Sequence, residues 1–409
     1  MGYLCKRRVY PAQTPGKMRV SDSEAFRTKG AGRPKSRYTL ARTMPLPTGK
    51  LPAELLERLL RGATRPDPRV LVGPAIGEDA AVISLSPERA LIAKADPVTF
   101  ATDLIGWYAV HVNANDVACM GARPAWFMAT VLLPEGASER LAEDIFSQVA
   151  SACRALDVTL IGGHTEVTHG LSRPIVAGAM LAEADPRRVV RNSGGLAGDH
   201  IVLSKGIAIE GTALVARDAA AALQARGVPA QTLEGAARLL FEPGISVVRE
   251  ALLAHEAVSV HAMHDPTEGG LATALVELAT ACRLGVVLRL EDVPVLPETA
   301  AICRAVGLEP LGLLASGSLL IVVAEEDCEG LRSTLSGAGI AAACIGRLAP
   351  AGEGAIMVER GSRRSLPRFE RDELARFFDS LGTTGARAEA PSSVKMGRLR
   401  PGGRERADG

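Results

Sequence analysis

Apolar and polar positions alternate with two different periods through the middle of the chain. "LPAELLERLL" (51–60) repeats at helical spacing, whereas "AAVISL" (80–85) and "ALIAKA" (90–95) read as strands. "LIGWYAVHVNANDVACM" (104–120) is a helix by its period, "AWFMATVLL" (125–133) a strand and "ERLAEDIFSQVASACRAL" (139–156) a long amphipathic helix. "VTLIGG" and "PIVAGAMLA" are strands again. Glycines then accumulate in "NSGGLAGDHIVLSKG" (192–206) and the pattern restarts, which predicts a domain boundary near Asp185–Gly195. Beyond it helices are expected over roughly 209–256, 268–283 and 327–337, and strands over 285–290, 318–324, 341–346 and 355–358. The prediction is two α+β or α/β units in tandem, spanning 45–185 and 195–360.

Residues 1–43 and 384–409 show no apolar period and are rich in Arg, Gly and Pro. Both are expected to be disordered, the first as a basic extension. Met44 opens the ordered pattern and is the expected translation start; the alternative use of the basic arm is to bind a partner.

Composition narrows the function. The chain has 409 residues, of which only 3% are aromatic, too few for a platform that stacks single-stranded bases. The net charge is +1, but residues 1–43 hold eleven Lys/Arg against two acids, which leaves about −8 for the rest. An acidic body excludes nucleic acid as the main ligand. No run of apolar residues reaches the length of a membrane span. The seven cysteines form no CxxC pair and sit mostly in apolar stretches, so a reducing, cytoplasmic setting is expected.

Candidate chemistry gathers at the ends of the predicted elements. "GPAIGEDAAVI" (73–83) sets Gly77, Glu78 and Asp79 before a strand, and "KADPVTF" (94–100) ends a strand on Asp96. "AVHVNANDVACMGARP" (109–124) places His111 with Asn115, and Asn113 with Asp116, on adjoining faces of an otherwise apolar helix, where polar groups are costly unless partnered. "TLIGGHTEVTHG" (159–170) carries Gly162 and Gly163 followed by His164, Thr165 and Glu166. "HAMHDPTEGGLATALVELAT" (261–280) crowds Asp265, Thr267, Gly269 and Gly270 onto a helix start, where bare amides suit an anion. Asp79, Asp96, Asp116, Glu166 and Asp265 are thus acids at element ends beside small residues. Clustered carboxylates need a cation among them, and glycine turns offer amides to phosphate. The pieces predict a Mg²⁺–nucleotide site assembled by tertiary folding, without a Walker P-loop.

The ordered set "GEDAAVI", "KADPVTF", "HVNANDVACMGARP", "IGGHTEVT", "GDHIVLSKGIAIEGTA", "HDPTEGGLATALVELA" and "ASGSLLIVV" resembles the aminoimidazole-ribonucleotide (AIR) synthase-related, PurM-like superfamily, nearest the HypE-like hydrogenase maturation proteins. The resemblance covers about residues 45–360. It implies an N-terminal domain that pairs with a second copy into a dimeric β-barrel, a C-terminal α/β domain, and ATP in the cleft between them. It implies Mg²⁺ on Asp79, Asp96 and Asp116, joined here by Asp265. Gly77, Asn113, Gly162, Gly163, Thr165, Thr267, Gly269 and Gly270 would lie at nucleotide or substrate, and His164 or Glu166 would orient or deprotonate the acceptor. HypE-like chains end in a cysteine that carries a carbamoyl group, whereas the last cysteine here is Cys344. Chemistry on the chain's own tail is therefore not expected. The expected activity is ATP- and Mg²⁺-dependent phosphorylation, or activation, of an oxygen of a small substrate. A thiamine-phosphate-kinase-like metabolite kinase and a non-catalytic nucleotide sensor are the alternatives.

Overall fold

The computed structural model describes residues 50–383 apart from positions 52, 64, 100 and 102. The expectations for residues 1–43 and 384–409 lie outside the described residues. The first half runs α1 (Ala53–Ala63), β1 (Val70–Val72), β2 (Ala81–Ser86), β3 (Arg89–Val98), α2 (Ile105–Cys119), β4 (Trp126–Pro134), α3 (Glu139–Leu156), β5 (Thr159–Thr168) and β6 (Ile175–Ala184). Its strands form one sheet in the order β1-β2-β3-β6-β4-β5. Only β4 and β5 are parallel, joined by the crossover helix α3.

The alternation seen in the sequence decides what this sheet covers. Phe127, Ala129, Val131 and Leu133 are buried along β4, and Val176, Met180 and Ala182 along β6. They face α2, which is buried almost all round between the sheet and α3. Gly178 permits that approach, since a Cβ there would lie 2.5 Å from Asn113 Nδ2. Helix α3 begins on Ser138, whose hydroxyl accepts from Leu141 N, and ends on Asp157 in the left-handed region at φ 57°. The opposite face of the sheet is apolar too, yet Met128 is 37% exposed there.

The second half runs β7 (His200–Ser204), α4 (Ile209–Asp218), α5 (Ala220–Ala225), α6 (Ala230–Arg238), α7 (Val248–Ala257), β8 (Val260–His264), α8 (Gly270–Cys282), β9 (Gly285–Arg289), α9 (Pro297–Val306), β10 (Leu320–Val323), α10 (Cys328–Gly337), β11 (Ala342–Ala349), β12 (Ala355–Glu359), β13 (Ser362–Ser365) and α11 (Glu373–Thr383). Its mixed sheet has the order β13-β12-β9-β11-β7-β10-β8. The helices expected over 209–256 are α4 to α7; Gly227 and Pro229 separate α5 from α6, and Pro243 lies between α6 and α7. Elements β1, β8, α9, β13 and α11 were not expected; the strands among them are only three to five residues long, whereas α11 has a clear helical period that the reading passed over.

Among the described residues neither sheet closes on itself. The expected barrel is a property of two copies; in one chain the first sheet is open, with β5 as an edge.

Candidate active site

The acids that the sequence scatters meet at the seam between the two sheets. Lys94 on β3 reaches Asp96 at 3.2 Å and Asp116 of α2 at 3.3 Å. Period-two spacing puts Lys94 and Asp96 on the same face of β3, the face on which α2 lies. Asp79 precedes β2 and Asp265 precedes α8, and both are buried. Asp79, Asp265 and Cys119 of α2 each offer a donor atom, all within 4.8 Å of one another. The Cys119 thiol donates to Asp265 Oδ1 at 3.6 Å, while Asp265 Oδ2 is buried without a partner.

The structure supplies cations of its own, which the sequence reading left out. His264 Nδ1 lies 2.8 Å from Asp79 and its Nε2 lies 3.2 Å from Glu277. Burial opposes an imidazolium here, but Asp79 and Glu277 outweigh it and hold the His264 pKa well above its ordinary value. Both ring nitrogens then donate. Asn192 Nδ2 donates to the other oxygen of Asp79 at 2.8 Å. Lys50 joins Glu277 at 3.4 Å and Thr267 Oγ1 at 3.2 Å.

Charge in the crevice is out of balance. Among the described residues, Asp79, Asp96, Asp116, Asp265, Glu268 and Glu277 face Lys50, Lys94 and His264. Burial raises Asp116 well above the usual carboxylate range, with Asp265 and Asp79 adding to the shift and Lys94 opposing it. Asp265 is pushed up to about 6 by burial and by Asp79. Burial raises Glu268 as well. A hard divalent cation suits this donor set: it would use the unpartnered Asp265 oxygen and remove most of the excess negative charge.

Most of the remaining candidates prove to be tied into the fold. Asn113 Oδ1 accepts from Asp96 N, and its Nδ2 donates to the carbonyls of Asp96 and Ala109, so the side chain is spent on fixing β3 against α2. Asn115 brackets the segment at Ile245–Val247, and His111 stacks on Trp107. Burial pushes His111 down to about 4, so it stays neutral. Gly77 is needed for contact with the chain's own α8, where a Cβ would meet Glu277 O at 2.9 Å. The helix start at 269–270 does face an anion, but the anion is Asp372: its Oδ2 accepts from Gly269 N at 2.6 Å. Gly270 N is taken by the Thr267 carbonyl, and Thr267 Oγ1 by Lys50. Within the chain, then, the Gly269 and Gly270 amides and the Thr267 hydroxyl already have partners.

Gly162, Gly163, His164, Thr165 and Glu166 lie elsewhere, exposed on edge strand β5. Asp96 pairs with Gly178, Gly178 with Ala129 and Ala129 with Gly163, so the diglycine is three strands from Asp96, or about 14 Å. Pleating turns His164 and Glu166, in register with Thr130 and Leu132, to the face away from α2. They contact each other at 3.1 Å. Gly163 serves the pairing itself, because a Cβ would meet Ala129 O at 1.9 Å. Within one chain His164 and Glu166 are therefore not catalytic partners of the acids.

Comparison with known proteins places these features. Residues 77–184 match the model of the AIR synthase related protein N-terminal domain, and residues 197–359 that of its C-terminal domain. A putative hydrogenase expression/formation protein of Methanocaldococcus jannaschii is 28% identical over 235 residues, covering 57% of this chain and 66% of that protein. A selenide, water dikinase of Paraburkholderia xenovorans is 31% identical over 264 residues, covering 62% of this chain and 69% of the dikinase. The solved structure of hydrogenase maturation protein HypE in complex with ATP superposes with TM-score 0.55 at 25% identity, over 74% of this chain and 92% of that one.

Proposed function

We propose a function from one premise: the chain belongs to the AIR synthase related protein family, whose N- and C-terminal domain models it matches in order over residues 77–184 and 197–359. It is an ATP- and Mg²⁺-dependent enzyme that phosphorylates, or activates through phosphorylation, an oxygen of a small substrate. One observation carries the reading: four carboxylates spread from Asp79 to Asp265 meet around Lys94 and leave one buried oxygen unpartnered. The selenide, water dikinase and the ATP-bound HypE among the similar proteins support the choice of nucleotide.

Asp79 and Asp265 would hold the magnesium ion, which supplies charge neutralisation to the phosphates. Everything else falls to the chain. Lys94 contributes a fixed positive charge at the crevice floor, and its pKa is raised by Asp116 and Asp96 against the effect of burial, so it stays protonated. His264 locks Asp79 in one orientation through a bond that is itself braced by Glu277. Such preorganised charge acts on a transferring phosphoryl group without reorganising during the step.

A second copy of the chain is part of the proposal. The uncovered face of the first sheet carries Ile83, Leu91, Met128 and Leu132, and Ile161 and Val167 on its edge strand are 50% and 58% exposed. A homodimer through this face would complete the open sheet and protect the β5 edge.

Calorimetric titration of ATP with and without Mg²⁺ tests the nucleotide site. Asp116→Asn is expected to weaken Mg²⁺-dependent ATP binding by at least about tenfold, while the melting temperature of the ligand-free protein holds or rises, since the substitution removes a poorly tolerated buried charge. A large loss of unliganded stability would make Asp116 a structural residue. Product analysis then separates the two chemistries: ADP with a phosphorylated acceptor marks a kinase, ADP with free phosphate marks oxygen activation.

A further inference from the structure

Three further ligating side chains converge at the opposite end of the second sheet. His200 opens β7, Cys344 lies on β11 and Cys328 is the first residue of α10. His200 shares a row with Val323 and Val260, the end of β8 remote from His264 and Asp265. One donor atom from each of His200, Cys328 and Cys344 lies within 4.8 Å of the others. Cys344 Sγ is 3.6 Å from His200 Nδ1. The approach depends on a β-bulge: the register of β11 against β7 shifts between Cys344 and Gly346, and Gly346 is required there because a Cβ would meet Val287 O at 2.1 Å. Cys328 is buried, whereas His200 and Cys344 remain partly open to solvent.

We propose that His200, Cys328 and Cys344 bind a borderline-soft divalent cation, Zn²⁺, through three protein ligands and a fourth position open to water. The geometry suits it. Tetrahedral zinc, with bonds of about 2.3 Å to sulfur and about 2.0 Å to nitrogen, sets an S···N edge of about 3.5 Å. The chemistry also separates this cluster from the acid crevice: two thiols and an imidazole select zinc, whereas carboxylate oxygens select magnesium. Binding releases two thiol protons to solvent and uses the neutral imidazole through Nδ1. The inference is independent of the nucleotide reading.

Cobalt is the spectroscopic probe. Full-length protein, treated with chelator and kept reduced, is titrated with Co²⁺ and then with Zn²⁺. Expected are thiolate-to-cobalt charge-transfer absorption and tetrahedral ligand-field bands that saturate at one equivalent and vanish when zinc displaces cobalt. Cys344→Ser should abolish the charge-transfer band, or weaken Zn²⁺ binding by more than about 100-fold, and His200→Gln should weaken it by at least about tenfold. Both positions are partly exposed, and an unchanged metal-free melting temperature verifies that each variant is folded. Cys119→Ser, which removes the thiol of the acid crevice, should leave the bands intact. Absence of the bands in the parent protein, their survival in Cys344→Ser, or their loss in Cys119→Ser would each overturn the proposal. So would recovery of Cys328 and Cys344 as a disulfide that takes up no metal before reduction or after it.

Discussion

The acid crevice and the β5 edge strand read alike as sequence and differ completely as structure. Each joins acids to glycine at the end of a strand. In the crevice the carboxylates of Asp79, Asp116 and Asp265 are nearly sealed from water and held by Lys94, His264 and Asn192. On β5, the Glu166 carboxylate meets the neighbouring His164 ring, and both are exposed. What separates them is the order of strands in the sheet. β3 lies inside it, under α2, whereas β5 has a neighbour on one side only. Buried charge is costly and persists only with partners, so a crevice of this kind has to be built from several elements at once.

The comparison predicts opposite responses to mutation, and the largest belongs to Lys94. Replacing it with Met strands Asp96 and Asp116 beside each other without their cation. Removing one partner of a buried pair costs about 3 kcal/mol or more, and denaturant unfolding at pH 8 should record a loss of that size. The deficit should shrink as the pH is lowered, because burial raises Asp116 well above the usual carboxylate range and a protonated Asp116 no longer needs the lysine. An increase in stability on Lys94→Met would break the contrast, since the crevice would then tolerate its acids without the lysine.

A smaller effect is expected behind the crevice, at Glu210 of α4. Burial pushes its carboxyl up to about 7, with Ser316 opposing the shift and Glu268 and Asp372 adding to it. The folded-state value lies above the ordinary 4.5, so the folded chain binds the proton first as pH falls. Glu210's share of stability is therefore lost as pH rises from about 4.5 to about 7, and amounts to at most about 3 kcal/mol. Glu210→Gln should raise the melting temperature at pH 8, leave it unchanged near pH 4.5, and flatten the profile between. An unchanged slope would mean that Glu210 is solvated.

Much of this was legible in the chain, for reasons that particular residues make plain. Asp96 and Asp116 lie within β3 and α2, and Asp79 and Asp265 just precede β2 and α8, so their approach to one another follows once those elements pack. Lys94 could have been found as well, two residues before Asp96 on the same face of a strand. His264 adjoins Asp265, but its pairing with Asp79 spans 185 residues and leaves no local trace. Asp372 is the harder case. The Gly269 amide is met by a carboxylate that lies 103 residues further on, just before α11. The diglycine of β5 has a structural use that the sequence does not distinguish from a turn shaped for phosphate: Gly163 lets a strand pair past Ala129.

The smallest expected effect is also the one that most sharpens the contrast. His164→Ala and Glu166→Gln remove exposed groups that hydrogen-bond to each other, so each should change unliganded stability by no more than about 0.5 kcal/mol. Neither should alter Mg²⁺–ATP affinity by more than about twofold, because the face they occupy points away from α2 and the row they flank is about 14 Å from Asp96. Isothermal titration of each variant beside Asp116→Asn makes the comparison direct. If either β5 variant matched Asp116→Asn in lost affinity, the strand would have to reach a crevice that its own chain places out of range. That crevice would belong to a second copy, and the variant should then lose its effect under dilution that dissociates the dimer, whereas the effect of Asp116→Asn should persist.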